Sequence, residues 1–335
     1  MLVAKAKYKI KALGLFSGGL DSILAAKLMQ EQGIEVIAVN FTSPFSLCSS
    51  RGECNAVKAA EKLNIPIKVI FKGKDYLKIL RNPKYGYGSG MNPCVDCRIY
   101  MLKKAKALAR KLGAKFIFTG EVLDERPMSQ NFKALKIIEK EAGLENKIVR
   151  PLSAKLLPET EAEKKGWVDR SKLLAIHGRS RKPQIQLAKE KNITDYPCPS
   201  GGCLLTYKEF ANKFKDLIQH KKKITFNDIL LLKIGRHFRY GKNKIIIGRN
   251  KLENDELLHL KNKWDYIFNV PGYGSPITLL QGPKTKEAIK AASSLTARYS
   301  DAKTEPQVLV NYKRNFEKSI IVKPYSDEEV SKLRI

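Results

Sequence analysis

The sequence predicts an α/β protein, with a doubly wound, mostly parallel sheet followed by a smaller α+β domain. Three observations carry that expectation. Short apolar runs alternate with helical patterns through the first 120 residues, as parallel strands and their crossover helices do. A basic, mostly irregular stretch at 150–205 then interrupts the alternation, and shorter strands follow it. The length of 335 residues corresponds to about two domains of roughly 100 to 200 residues each.

Taken in order, residues 8–16 read as an apolar strand, SGGLDS at 17–22 as a turn, and ILAAKLMQEQG as a helix closed by Gly33. EVIAVNF, IPIKVIF and AKFIFTG are strands; NAVKAAEKLN and CRIYMLKKAKALARKLG are the helices between them. Crossovers joining parallel strands are right-handed, so these segments form one sheet covered on both faces. Beyond residue 205, LLLKIGRHFRY, NKIIIGRN and DYIFNVPG read as strands accompanied by two later helices. A first domain at 1–205, including the basic, cysteine-bearing segment 150–205, and a second at 206–335 are expected.

Lys and Arg number 63 against 33 Asp and Glu, a formal charge of +30 that favours a polyanionic partner. Residues 1–200 carry 37 basic and 19 acidic side chains, and residues 201–335 carry 26 and 14, so the excess is not confined to one tail. Nucleic acid is the first expectation. The opening residues lack a secretory apolar core, and the longest uncharged stretch, 266–283, holds three prolines and three glycines. A cytoplasmic chain with no membrane partner is expected, in which the six cysteines are free, metal-bound or catalytic rather than paired.

Ser17, Gly18, Gly19, Leu20, Asp21 and Ser22 lie between a strand and a helix, where backbone N–H groups and the helix dipole attract an anion. Glycines admit phosphate oxygens closely, the two serines donate hydroxyls, and an acid in an anion site makes sense if Asp21 holds Mg²⁺ between phosphates. The loop lacks the lysine ending of a Walker A motif, which suits a bound pyrophosphate unit and cleavage between the α and β phosphates of ATP.

SGGLDS resembles the SGGxDS signature of PP-loop ATP pyrophosphatases. The resemblance implies that the adenine edge meets the backbone near Val39, Asn40 and Phe41, and that Thr119 and Gly120 line the nucleotide cleft. The carboxyl ends of parallel strands are where open α/β sheets bind ligands.

NPCVDC places Cys94 and Cys97 at CxxC spacing at the start of a helix, and PCPSGGCLLT holds Cys198 and Cys203. Three thiolates suit a 4Fe–4S cluster with one open iron; four would suit zinc; a third possibility is redox or persulfide chemistry without metal. MNPCVDCRIYMLKKAKALARKLGAKFIFTGE resembles a segment of the tRNA thiolation enzymes, the 2-thiouridylase and 4-thiouridine synthetase group, and GGCLLT falls where they place a second catalytic cysteine. By that resemblance Asp21, Cys97 and Cys203 are catalytic, and Cys94 completes the ligand set as in the iron–sulfur branch. Two departures stand out: Glu121 replaces the family's usual His, and Cys198 is a rival third ligand. Cys48 and Cys54 have no counterpart.

Arg179, Arg181, Lys182, Lys189 and Lys191 form a cluster suited to RNA phosphates, or to a solvated helix face. Between Lys221 and Asn250 nine basic residues meet one acid, interleaved with Phe226, His237, Phe238 and Tyr240, which either stack on bases or form a small core. GRHFRYGKNKIIIGRNKLENDELL with WDYIFNVPGYGSP resembles the NFACT-R type of RNA-binding module. Together these resemblances imply an ATP-dependent tRNA sulfurtransferase that uses ATP, Mg²⁺ and a 4Fe–4S cluster, with zinc as the alternative metal. The partners implied are tRNA and a sulfur donor, inorganic sulfide or a sulfur-carrying protein. The alternatives are a cluster-free thiolase with Cys203 as persulfide carrier and Cys97 as resolving thiol, and an RNA-binding adaptor whose loop only senses ATP.

Overall fold

The structure is a computed structural model that describes residues 10–46, 55–196 and 202–335. The chain divides into two units, Met1–Thr206 and Tyr207–Ile335. In the first, the elements are β1 (Lys11–Leu15), α1 (Leu20–Glu31), β2 (Glu35–Thr42), α2 (Asn55–Lys62), β3 (Ile67–Phe71), α3 (Lys74–Arg81), α4 (Cys94–Leu112), β4 (Phe116–Thr119), α5 (Phe132–Ala142), β5 (Ile148–Val149), α6 (Glu161–Lys164) and α7 (Lys182–Glu190). The five strands are parallel in the order β3-β2-β1-β4-β5, the doubly wound sheet expected.

β1 is central and buried, with Ala12 and Leu13 fully enclosed on opposite faces. Its Gly14 has a packing reason: a Cβ there would lie 2.4 Å from the ring of Phe118 on neighbouring β4. Burying the two apolar faces is what holds the layers together, at about 25 cal/mol per Å² removed from water.

Several elements were not apparent from periodicity. α3 and α5 fall in segments to which periodicity assigned no element. α5 is announced by Asn131, whose side chain accepts the Ala134 N–H at 2.9 Å, and it is closed by Gly143 at φ +63°. Within the stretch read as mostly irregular, α7 forms a nine-residue helix with proline in its first turn.

The second unit contains α8 (Lys208–His220), α9 (Phe226–Leu231), β6 (Arg236–Tyr240), β7 (Asn243–Ile247), α10 (Lys251–Leu260), β8 (Tyr266–Asn269), β9 (Thr278–Gln281), α11 (Lys286–Arg298), β10 (Val308–Lys313), β11 (Glu317–Val322) and α12 (Asp327–Leu333). Its antiparallel sheet runs β11-β10-β8-β9-β7-β6. LLLKIGRHFRY is not one strand. Thr225 and Asp228 form a capping box that starts α9, and only the residues from Arg236 are extended. Phe238 and His237 are buried, so for these two rings the core reading holds, not the stacking one. Among the described residues no helix is long and apolar enough to cross a membrane.

Candidate nucleotide and thiol site

The turn after β1 is pinned to β2. Phe16 N–H donates to the Val39 carbonyl at 2.9 Å, and the buried Asn40 amide donates to the Phe16 carbonyl at 2.8 Å. Val39 and Asn40 therefore shape the turn from inside; Phe41 is half-buried against the core. Gly18 has φ +74°, and a Cβ on it would fall 2.6 Å from backbone atoms of Ala56 in α2, so both conformation and packing demand glycine. Ser22 Oγ donates to the Gly19 carbonyl at 2.8 Å and lies 3.3 Å from Ser17 Oγ. Gly19 caps α1 without a side-chain hydrogen bond, so first-turn N–H groups remain for an anion.

The chain leaving β4 crosses this turn. A Cβ on Gly120 would lie 2.5 Å from the Asp21 carbonyl oxygen, and Thr119, buried, donates its hydroxyl to Glu121 at 3.0 Å. The same crossing recruits the basic segment. Leu123 bridges His177 in parallel, Gly178 N–H donates to the Leu123 carbonyl at 2.7 Å, and α7 packs on α1.

This brings Arg181 and Gln184 to Asp21. Burial pushes the Asp21 carboxyl above its usual range, with Arg181 and Arg126 opposing; Glu125 is likewise raised, by burial and then by Asp21. Asp21 Oδ1, Arg181 Nε and both amide atoms of the fully buried Gln184 make no hydrogen bond of good geometry, although Gln184 lies close enough to the Asp21 carboxylate to favour its charged form. Buried orphans of this kind are rare in folded proteins, and here they surround one spot. Arg181, grouped by sequence with the exposed Arg179 and Lys182, thus belongs to the nucleotide loop.

Glu121, where a histidine was expected, is buried. It pairs with Arg98 at 3.3 Å and with Arg150 at 3.0 Å, and Arg150 also contacts Glu139 at 2.5 Å. Burial pushes the Glu121 carboxyl up, yet Arg98 and Arg150 outweigh it and hold the group below its usual range.

The cysteines lie on the same helix as Arg98. α4 begins at Cys94, and Cys97 faces two donors, Lys72 Nζ at 3.3 Å and Tyr76 Oη at 3.2 Å; Asn92 Nδ2 donates to Cys94 Sγ at 3.1 Å. Cys203 reaches them because its segment is tied on both sides: Leu204 N–H to the Phe45 carbonyl at 2.9 Å, and Met91 N–H to the Leu205 carbonyl at 2.9 Å. Burial pushes the Cys203 thiol up to about 11; the Leu205 N–H opposes, and the charges of Cys97 and Cys94 add to the rise. Cys198, Cys48 and Cys54 lie outside the described residues.

Among the described residues no three His, Cys, Asp or Glu side chains converge on a point that would hold one metal ion. A cubane presents separate irons to separate thiolates, so its ligands need not converge on a point. Three neighbouring thiols, two of them receiving hydrogen bonds, fit that demand.

The family model described as thiamine biosynthesis protein (ThiI) matches residues 8–155. The first unit carries a ThiI-type PP-loop domain. A second family model, NFACT protein RNA binding domain, matches residues 235–334. The chain is 34% identical over 132 residues to the tRNA-specific 2-thiouridylase MnmA of Petrotoga mobilis, covering 34% of this chain and 35% of that protein. It is 32% identical over 143 residues to a "Probable tRNA sulfurtransferase" of Thermococcus kodakarensis, covering 42% and 36%. The chain thus spans about a third of the length of these relatives. A solved U34-tRNA thiolase NcsA from Methanococcus maripaludis with its 4Fe–4S cluster aligns at 19% identity and TM-score 0.36, over 68% of this chain and 74% of that one. Within the PP-loop domain, Lys72, Tyr76, Glu125 and Gln184 escaped sequence reasoning. Only Asn92 had a local signal, its place before Pro93 and Cys94.

Proposed function

We propose that the protein is an ATP-dependent tRNA sulfurtransferase. The observation that carries this reading is the joining of three thiols to the loop at 17–22 within the first unit, Cys94 and Cys97 through α4 and the Arg98–Glu121 pair, and Cys203 through the hydrogen bonds that tie Leu204 to Phe45 and Leu205 to Met91. Residues 17–22 hold the β and γ phosphates on backbone N–H groups and the two serine hydroxyls. Arg181 and Gln184 complete that grip, which gives their orphaned atoms partners. Asp21 and Glu125, whose charges act on one another, would hold Mg²⁺, which takes one or two carboxylates plus phosphate oxygens and would neutralise the departing pyrophosphate. A uridine carbonyl oxygen attacks the α-phosphorus; the bond to the bridging β-phosphate oxygen breaks and pyrophosphate leaves. Sulfur at the hydrosulfide level then adds to the activated carbon, and AMP departs with the former carbonyl oxygen.

Cys94, Cys97 and Cys203 would hold a 4Fe–4S cluster, whose iron without a protein ligand supplies a place for hydrosulfide. Lys72, Tyr76 and Asn92 orient the thiolates and lower their negative charge through hydrogen bonds. The cluster-free alternative draws on the same contacts, since the Lys72 ammonium and Tyr76 hydroxyl would equally stabilise Cys97 as a resolving thiolate. The basic second unit supplies contacts to tRNA phosphates.

Mass spectrometry of nucleosides in tRNA from a strain lacking the protein tests the reading. A thiolated uridine should disappear and return with the wild-type chain but not with Asp21→Ala. An unchanged set of thionucleosides in the deletion strain would overturn it.

A further inference from the structure

The second unit contains a cleft of about 450 Å³, within the range of about 300–1,000 Å³ typical of small-ligand sites. Lys221, Arg239, Lys242, Lys244 and Lys284 line it, and the half-exposed Trp264 stands at its wall. The carboxylates do not balance these cations. Asp228 pairs with Lys221 at 2.6 Å, and Asp216 serves Arg239 at 2.5 Å and Lys244 at 3.7 Å at once. Lys242 and Lys284 form no ion pair among the described residues, although the buried Asp265 carboxylate, which also lines the cleft, acts on Lys284; the Lys284 ammonium rests on the Gly282 carbonyl at 2.8 Å. Lys284 is also held at φ +61°, a region lysine rarely adopts, by its N–H bond to Asn243 Oδ1 at 2.7 Å. The Trp264 ring carries the Arg314 guanidinium at 4.3 Å and the Lys263 ammonium at 4.9 Å.

We propose that this cleft receives one unpaired nucleotide of the RNA substrate, its base lying on Trp264 and its phosphate among Lys242, Lys284 and Arg239. A duplex keeps its base faces stacked inside and presents a convex backbone, so a concave site walled by an indole selects a splayed-out nucleotide. Base–aromatic stacking tolerates any base, whereas the cations answer the phosphate. Lys263 and Arg314, already on the ring, move to flanking phosphates as the base takes their place. The inference rests on the reading that the chain acts on RNA, and it adds where and in what form the RNA is held.

Trp167 and Trp264 are the two tryptophans, so Trp167→Phe leaves Trp264 as the sole reporter in the full chain. An oligouridylate of about twelve nucleotides should quench its emission at concentrations where a blunt RNA duplex of equal length does not. Trp264→Ala should weaken single-strand binding by about tenfold or more and leave duplex binding unchanged, while Trp264→Phe keeps most of the affinity. Equal quenching by duplex and single strand, or unchanged single-strand affinity in Trp264→Ala, overturns the proposal, whether or not tRNA is thiolated. Selective quenching by a wild-type chain that yields no thiolated tRNA would sustain the cleft and overturn the sulfur reading instead.

Discussion

Arg98 lies 3.3 Å from Glu121, one residue beyond Cys97 on α4 and two beyond Thr119 at the end of β4. A single ion pair therefore connects the helix that carries Cys94 and Cys97 to the strand end beside the loop at 17–22. Because Glu121 also accepts from Arg150, which contacts Glu139, the connection continues as a buried chain of alternating charge.

Breaking that chain should be costly. Glu121→Gln leaves the half-buried Arg98 without its carboxylate and the buried Arg150 with Glu139 alone, and removing one partner of a buried pair costs up to about 3–5 kcal/mol. The pH dependence has a definite sign. The Glu121 carboxyl is held below its ordinary value in the folded chain, so its contribution is complete above the unfolded value of about 4.3 and is lost as pH falls through the lowered folded value. Urea unfolding across acid pH should show a shallower loss of stability in Glu121→Gln than in the wild type; parallel curves would contradict this.

Gly18→Ala should remove nucleotide binding by a purely steric route. The φ of +74° strains any side chain, and the new methyl meets the backbone of Ala56 at 2.6 Å, which neither α1 nor α2 relieves without shifting. Calorimetric titration with ATP should show at least about tenfold weaker binding, equivalent to about 1.4 kcal/mol. Gly33→Ala is the control: it shares a positive φ of +76°, but no atom lies within 4 Å of its added Cβ, so ATP affinity should hold.

Arg181 separates two assignments. If it grips the leaving phosphates, Arg181→Ala should slow release of AMP and pyrophosphate and leave the salt dependence of RNA binding as it was. If it is an RNA contact, turnover stays normal and the slope of log affinity against log salt falls by about one. The wild-type geometry, with Arg181 Nε unpaired beside Asp21, predicts the first outcome.

The turn at residues 17–22 was legible because its shape is written in backbone: Gly18 marks where a Cβ cannot stand, and the order of the residues survives without any tertiary knowledge. The parallel sheet was legible from periodicity for the same local reason. Arg181 and Gln184 were not, because their partner Asp21 is about 160 residues away in sequence, and the Leu123–His177 bridge with the packing of α7 on α1 brings them together. Lys72 and Tyr76 were hidden likewise, since nothing in KGKDY announces a thiol 21 residues on from Tyr76. Phe238 was left between two readings because it sits amid cations in sequence, and only its strand placement turns it into the core.

Protein purified without oxygen should be brown, with iron and acid-labile sulfide each approaching about four per chain. Cys94→Ala, Cys97→Ala and Cys203→Ala should each lose colour and thiolation, whereas Cys198→Ala should keep both. A colourless, zinc-containing wild type would contradict the three-thiol assignment, and loss of the cluster in Cys198→Ala but not Cys203→Ala would exchange the ligands.

The most direct measurement is a single reaction containing anaerobic protein, Mg-ATP, sulfide and unmodified tRNA, with AMP and thiolated uridine counted together. The account predicts one AMP for each thiolated uridine, formed only when tRNA is present, with both products lost in Asp21→Ala. Release of AMP without any thiolated nucleoside, or thiolation that proceeds without ATP, would contradict it.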